Sequence, residues 1–286
     1  MTIFKKIADL QEYVSLQKAS GASIGFVPTM GALHAGHSSL VEKAKRDGRF
    51  TVCSIFINPT QFNDINDFEK YPVSIDKDIE ILINAGCDLL FLPSVAEIYP
   101  NGPENARTYD IGYLDTILEG AQRPGHFRGV GQVVSRLLEA VRPQYLYLGQ
   151  KDYQQCMVLK RLIQLMNWEG ETQVVICPTV READGLAMSS RNRRLTDTQR
   201  ALAATIYQCL VSIESKQNTD PFSTVQKECF DLLRDRGFEP EYVSLAEATD
   251  LTLLDNYKAD TPMVALIAAK LGDVRLIDNL ILNTQN

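Results

Sequence analysis

Up to residue 177 the chain alternates between two rhythms of apolar and polar positions. Dense apolar or β-branched runs fall at 23–27 (SIGFV), 51–57 (TVCSIFI), 88–92 (DLLFL), 145–148 (YLYL) and 173–177 (QVVIC). They are short and bounded by turn residues, which predicts buried strands rather than helices. Between them the spacing becomes helical. Residues 36–47 set Leu40, Val41 and Ala44 on one face, residues 75–85 close at Gly86, and residues 130–141 stop before Pro143. Residues 152–166 predict a further helix. Strands that are apolar throughout, each followed by a helix, predict an α/β fold: a Rossmann-like parallel sheet with helices on both faces. Ligands of such sheets lie beyond the carboxyl ends of the strands. The loops after Val27, Ile57, Leu148 and Cys177 are therefore where chemistry is to be sought.

The texture changes after Pro178. Residues 178–194 are polar and carry Arg181, Arg191, Arg193 and Arg194. Helical patterns at 197–216 and 221–236 precede strand-like runs at 241–245, 263–268 and 274–281. This predicts a smaller α+β C-terminal domain, with domains 1–177 and 178–286 and no repeats or low-complexity linker between them.

Composition narrows the function classes. The chain has 286 residues, 29 basic against 36 acidic side chains, a net charge of −7 and 45% hydrophobic residues. A substantial core is expected, and the acidic balance disfavours nucleic-acid or membrane-surface partners, which need basic patches. No apolar run approaches the ~20 residues of a membrane span. Residues 1–9 lack the apolar stretch of a signal peptide. Cys53, Cys87, Cys156, Cys177, Cys209 and Cys229 are scattered without metal-site spacing, so reduced packing thiols in a cytoplasmic protein are expected.

Four stretches carry candidate chemistry. Residues 28–37 (PTMGALHAGH) run from a strand end into a helix N-terminus. Gly31 permits a tight turn, Gly36 permits close backbone approach, and His34 and His37 share one face of the first turn. A helix N-terminus offers backbone donors and a positive dipole end, and two imidazoles beside it suit phosphate oxygens. A cap with two surface histidines, or a zinc pair, has the same spacing; His126 is remote in sequence as a third ligand. In residues 178–191 (PTVREADGLAMSSR), hydroxyls and a guanidinium suit a triphosphate, although Ser-Ser-Arg alone also reads as an ordinary loop. Gly149, Gln150, Lys151 and Asp152 follow a strand; the lysine can reach a phosphate, whereas Asp152 can simply cap the next helix. Gln155 lies one turn further on. In residues 55–62 (IFINPTQF), Pro59 stops the strand, and Asn58 and Gln61 are neutral hydrogen-bonders suited to a hydroxy acid.

These segments, with YLGQKDYQQ at 147–155, HFRGV at 126–130, FEKYP at 68–72 and PTVREADGLAMSSRNRRL at 178–195, resemble the pantothenate synthetases (pantoate–β-alanine ligases) along nearly the whole chain. The H-x-G-H element alone is similar to a wider nucleotidyltransferase superfamily that includes class I aminoacyl-tRNA synthetases, with Met-Ser-Ser-Arg in the place of their mobile KMSKS loop. The resemblance implies ATP-dependent ligation of pantoate to β-alanine through pantoyl adenylate, releasing pyrophosphate and AMP. It implies ATP contacts from Met30, Gly31, Ala32, Leu33, His34, Ala35, Gly36, His37, Gly149, Gln150, Lys151, Asp152, Val180, Met188, Ser189, Ser190 and Arg191. Among these, His37, His34 and Lys151 would be catalytic, with His37 the usual proton donor. Gln61 and Gln155 would bind pantoate, and Gln61 also β-alanine. Mg²⁺ is implied with ATP, Asp78 being a candidate ligand, and so is a homodimer. The 178–194 segment and its arginines would close over the triphosphate and exclude water. Gln150 departs from the glutamate common in the family. Alternatives are another adenylyl-transferring enzyme of the superfamily, or a nucleotide-binding regulatory module.

Overall fold

A computed structural model describes residues 1–61 and 72–282; of the FEKYP run only Pro72 lies within them. The chain divides into two compact units, Met1–Gly149 with Gln154–Cys177, and Gln150–Tyr153 with Pro178–Asn286. Residues 150–153 thus pack with the second unit, although they sit inside the 1–177 span read from sequence.

The first unit is built on a six-stranded parallel sheet, β1 (Thr2–Phe4), β2 (Ile24–Thr29), β3 (Phe50–Ile55), β4 (Leu89–Phe91), β5 (Tyr145–Gly149) and β6 (Gln173–Cys177). Their order is β1-β4-β3-β2-β5-β6. Every pairing is parallel, as the continuous apolar strands require. One face packs against α2 (Ala35–Arg46) and α3 (Ile75–Asn84), with Val27, Leu40, Val41, Leu82 and Tyr147 in a common core. Opposite it, α1 (Ile7–Ala19) packs on α6 (His126–Val141), which lies against β2. The short helices α4 (Val95–Ile98) and α5 (Leu118–Gln122) connect β4 to α6, and α7 (Tyr153–Leu165) connects β5 to β6.

The expected α/β arrangement of buried parallel strands and intervening helices is present. Besides the short helices α4 and α5, two elements had too little signal in the sequence. β1 is three residues long, and α1 buries only Leu10 and Val14. The order of the strands is also invisible along the chain, and it decides where the site lies. From β2 the sheet grows one way through β3 and β4, then the other way through β5 and β6. The crevice at the carboxyl ends of β2 and β5 is therefore a topological switch point, where such sheets bind ligands.

The second unit carries an antiparallel sheet of order β10-β9-β7-β8, from β7 (Phe238–Glu247), β8 (Leu253–Leu254), β9 (Met263–Leu271) and β10 (Val274–Leu282). Alternate residues of β9, namely Met263, Ala265, Ile267, Ala269 and Leu271, enter one core with Val243, Leu245, Leu276 and Leu282. Helices α9 (Thr205–Lys216) and α10 (Phe222–Asp235) cover it. The helical pattern at 197–216 is two helices, because α8 (Asp197–Ala203) ends at Ala204 before α9 begins. A Thr196–Gln199 capping box starts α8. All six cysteines are buried free thiols. Burial pushes the Cys87 thiol up to about 11 and raises the Cys53 thiol well above its ordinary value, which keeps both protonated and inert.

Two glycines of α6 differ in their surroundings. A Cβ on Gly129 would lie 2.4 Å from the Thr60 carbonyl oxygen and 2.8 Å from Gln61 Cα, whereas one on Gly131 would meet nothing within 4 Å. Gly129→Ala should therefore destabilise by about 1–3 kcal/mol through overpacking. Gly131→Ala should stabilise by roughly 0.5–1 kcal/mol through helix propensity. Denaturant unfolding of the two variants against wild type checks the opposite signs.

Candidate active site

The loop leaving β2 turns within a few residues into α2. Gly31 (φ 83°) and Ala32 (φ 51°) both adopt left-handed backbone, and for alanine that conformation is strained. Successive amides in such a turn point the same way and form a small anion-binding concavity. Here it is filled from inside the protein. The Ala32 N–H donates to Asp78 Oδ2 (2.9 Å) and the Leu33 N–H to Asp78 Oδ1 (2.8 Å). The Ser74 hydroxyl also donates to Oδ1 (3.0 Å).

Ala32 and Leu33 are 0% and 1% exposed, and their amides donate to Asp78. One expectation changes as a result. Asp78 does not fit a magnesium ligand. It is 1% exposed and both its oxygens accept hydrogen bonds from the protein, whereas hydrated Mg²⁺ needs an accessible oxygen. No group of three or more His, Cys, Asp or Glu suited to a metal occurs among the described residues.

His34 is the N-cap of α2, and its contacts fix both imidazoles. The Gly36 N–H donates to His34 Nδ1 (3.1 Å), and the His34 N–H donates to His37 Nδ1 (3.3 Å). This is a capping box built from two histidines. A ring nitrogen that accepts from a backbone N–H carries no proton, so each imidazole holds its proton on Nε2. The rings lie 4.1 Å apart between centroids. The helix terminus was expected to offer its backbone amides to an anion. Of these, the Gly36 amide is taken by the His34 ring, and the His37 and Ser38 amides by the His34 carbonyl.

The loop after β3 lies beside it. Gln61 Nε2 sits 2.8 Å from Met30 Sδ, and Gln61 Oε1 accepts from Asn58 Nδ2 (3.3 Å). That pairing settles the amide's orientation: its donor end faces Met30. Asn58 is fully buried. Its Nδ2 also donates to the Gly129 carbonyl (3.1 Å), and its Oδ1 accepts from the Tyr99 hydroxyl (3.0 Å). His126 Nδ1 lies 2.9 Å from the Gln61 carbonyl and Nε2 lies 3.1 Å from Arg123 NH1. The carbonyl only accepts and the guanidinium only donates, so His126 holds its proton on Nδ1. It braces the Gln61 backbone and is not a metal ligand with the other two histidines. Tyr99 and His126 carried no signal of this role in the sequence, because the role depends on contacts 41 and 65 residues away.

Gln155 is half-buried in the first turn of α7. Its neighbour Gln154 is the brace: Oε1 accepts from the Glu119 N–H (2.9 Å), and Nε2 donates to the Leu114 and Ile117 carbonyls (2.8 and 3.0 Å).

In the second unit, Gln150–Asp152 form a 3-10 turn held by β10. Asn279 is 2% exposed, and its Nδ2 donates to the carbonyls of Gln150 (2.9 Å) and Lys151 (2.8 Å). Gln150 Nε2 reaches back to Asn279 Oδ1 (3.3 Å), a donation that a glutamate there could not make. The Lys151 ammonium lies 3.5 Å from Asp152 Oδ1. The 178–194 segment is an ordered hairpin and turn. The Met188 N–H donates to the Val180 carbonyl (3.0 Å), and Arg181 bridges to Ala187. Ser189 caps the 3-10 turn Ser190–Arg194, accepting from the Arg191 N–H (3.3 Å).

Arg181 was expected among charges closing over a triphosphate, but its fork is engaged within the unit. It donates to both Asp278 oxygens (2.6 and 3.0 Å) and stacks 4.1 Å over the Tyr207 ring. Burial pushes the Asp278 carboxyl up, and Arg181 opposes that shift. Arg200 pins the hairpin tip, pairing with Asp184 (2.5 Å) and Glu182 (2.6 Å), and its hydrogen bond holds the Asp184 carboxyl below the usual range.

The first unit is thus a parallel sheet of the doubly wound kind with two paired imidazoles at its switch point. A family model described as pantoate-beta-alanine ligase matches residues 2–281, and the chain belongs to that family. Pantothenate synthetase from Cytophaga hutchinsonii is 44% identical over 285 residues, covering 99% of each chain. The Pseudomonas fluorescens pantothenate synthetase is 43% identical over 285 residues, covering 99% of this chain and 98% of that one. The crystal structure of pantothenate synthetase from Thermus thermophilus superposes with a TM-score of 0.88 at 37% identity, covering 98% of this chain and 99% of that one. The pantoate-beta-alanine ligase from Francisella tularensis, solved in complex with beta-gamma ATP and beta-alanine, gives 0.80 at 37% identity, covering 98% and 97%.

Asn279→Ala strips donors from two carbonyls of the 150–152 turn, so it should lower stability by about 1–3 kcal/mol. Asn279→Asp, nearly the same shape, should be no better, because both donated hydrogens are lost. Thermal denaturation of both variants tests this; an aspartate variant as stable as wild type would contradict it.

Proposed function

We propose that this enzyme joins pantoate to β-alanine with cleavage of ATP, through a pantoyl-adenylate intermediate, with release of pyrophosphate and AMP. A carboxylate is a poor acyl donor because oxide would have to leave. Attack of the pantoate carboxylate on the α-phosphorus of ATP replaces that leaving group with AMP and expels pyrophosphate. The β-alanine amine then attacks the acyl carbon and AMP departs.

The reading rests above all on the two imidazoles fixed at a helix N-terminus at the switch point, each accepting a backbone N–H at Nδ1 and so carrying its proton on Nε2. Each is a neutral donor toward phosphate oxygens, and the dipole end adds favourable potential for an anion. Charge growing on the triphosphate is met by preorganised donors, the usual way such a step is accelerated. Hydrogen bonding, rather than proton release from an imidazolium, is the role we assign to His34 and His37. Lys151 supplies the point charge on the phosphates. Met30, Gly31, Ala35, Gly36, Gly149, Gln150, Asp152, Val180, Met188, Ser189, Ser190 and Arg191 complete the nucleotide contacts. Gln61, with its donor end facing Met30, and Gln155 take pantoate, and Gln61 also meets β-alanine. Mg²⁺ would neutralise phosphate charge while arriving on the nucleotide, since Asp78 does not offer it an oxygen. No helix among the described residues is long and apolar enough to cross a membrane, which is consistent with a cytoplasmic enzyme. The resemblance to the family supports a homodimer.

AMP release should require ATP, pantoate and β-alanine together. ATP–pyrophosphate exchange should require pantoate alone; exchange without pantoate, or with an amino acid in its place, would point to a different adenylyl transfer. In His37→Ala the pantoate-dependent exchange should fall by about 10²-fold or more, as for loss of a transition-state donor. A wild-type rate would remove the assigned role. Gln61→Ala should raise the KM for pantoate and β-alanine while ATP binding stays near wild type in calorimetry; an equal loss of ATP affinity would count against the assignment.

A further inference from the structure

We infer that Asp78 is a positioning residue for the two histidines, acting through the strained turn at Gly31 and Ala32. This deepens the reading that His34 and His37 serve the phosphates, and rests on it. The side chain reaches from the first turn of α3 to the loop after β2, 46 and 45 residues away in sequence from its partners Ala32 and Leu33. It is 1% exposed, and its oxygens bind two consecutive amides and one hydroxyl. Among the described residues no arginine or lysine donates to it; its donors are the turn it holds and Ser74. A buried carboxylate is costly unless hydrogen-bonded in this way.

The geometry shows why a carboxylate is required. The amides of residues 32 and 33 converge because Gly31 and Ala32 both have positive φ. Two acceptor atoms on one planar group meet them, one oxygen each. A side-chain amide would bring one acceptor and one NH₂, and the NH₂ would confront a backbone N–H. The fit is tight on the other side as well: a Cβ on Gly31 would lie 3.0 Å from Asp78 Oδ2 and 3.1 Å from Ile55 Cγ2. His34 follows Leu33 directly, and its own N–H selects the His37 ring nitrogen. The direction in which the chain leaves Leu33 therefore sets the cap, and with it the tautomer and aim of both imidazoles.

The test combines Asp78→Asn, Ala32→Gly and their double variant, with His37→Ala as the reference. In Asp78→Asn, pantoate-dependent exchange should fall in kcat by about 10- to 10²-fold, the scale of slight misplacement of catalytic groups, with little change in the KM for pantoate. Long-range ¹H–¹⁵N spectra should show both active-site imidazoles as single Nε2–H tautomers in wild type and as tautomer mixtures in Asp78→Asn. Ala32→Gly alone gives the reference rate against which the double variant is read. Added to Asp78→Asn it should restore roughly fivefold, because glycine takes the left-handed conformation without the alanine penalty. A general loss of stability would not be rescued by a flexible residue. Raising Mg²⁺ should restore nothing.

Wild-type exchange and unchanged imidazole signals in Asp78→Asn, or recovery on adding Mg²⁺, would overturn the inference. If His37→Ala itself keeps wild-type exchange, the reading of the histidines fails instead, which separates the two. If Asp78→Asn does not fold, Ser74→Ala removes the third hydrogen bond to the carboxylate. Altered imidazole ¹⁵N signals in that variant support the inference, and unaltered ones refute it.

Discussion

The hydrogen bonds between the Asp78 carboxylate and the amides of Ala32 and Leu33 sit where a buried strand must become an exposed helix terminus. β2 lies between β3 and β5, is covered on both faces, and is apolar for that reason. Chemistry cannot sit along such a strand, so it is confined to the strand's end. There the chain must turn sharply, and two positive-φ residues make the turn. The amides of Ala32 and Leu33 are buried there, and a buried donor left unsatisfied costs about 1–3 kcal/mol. The carboxylate satisfies them, and the helix that follows starts in a fixed direction.

From that start the donor set is assembled by side chains. His34 and His37 cap the helix start reciprocally, each ring nitrogen Nδ1 taking one backbone N–H. In the adjacent loop the same logic recurs: Asn58, buried and held by Tyr99 and Gly129, decides which end of the Gln61 amide is a donor. Residues buried behind the loop thus determine what the amide at its front can do.

The second unit applies a different device. Lys151 lies on a turn whose carbonyls are held by Asn279 of β10, and the neighbouring Asp278 holds Arg181 at the base of the hairpin. The lysine and the Met188–Arg191 segment therefore share one scaffold, although 37 or more residues separate them in the chain. Arg181, which a charge count places among ligand contacts, proves to be part of that scaffold. The half-buried fork between a buried carboxylate and a tyrosine ring is a packing element.

Periodicity alone was enough to find most strands and helices, because burial on both faces leaves an unmistakable apolar run and helix starts carry local capping signals. The H-x-G-H, Gln-Lys-Asp and Met-Ser-Ser-Arg stretches were legible for the same reason: each is a local pattern beside a strand end, and together they are similar to one family. Strand order, the tautomers of His34, His37 and His126, the orientation of Gln61, and the duties of Asp78 and Asn279 were not legible. Most of these depend on a partner tens of residues away, and a carboxylate or an amide in a list of residues is the same whether it meets a metal, a substrate or a pair of backbone N–H groups. Local composition settles which chemistry is present. Long-range packing settles which atoms of it are already engaged inside the protein and which face the ligand.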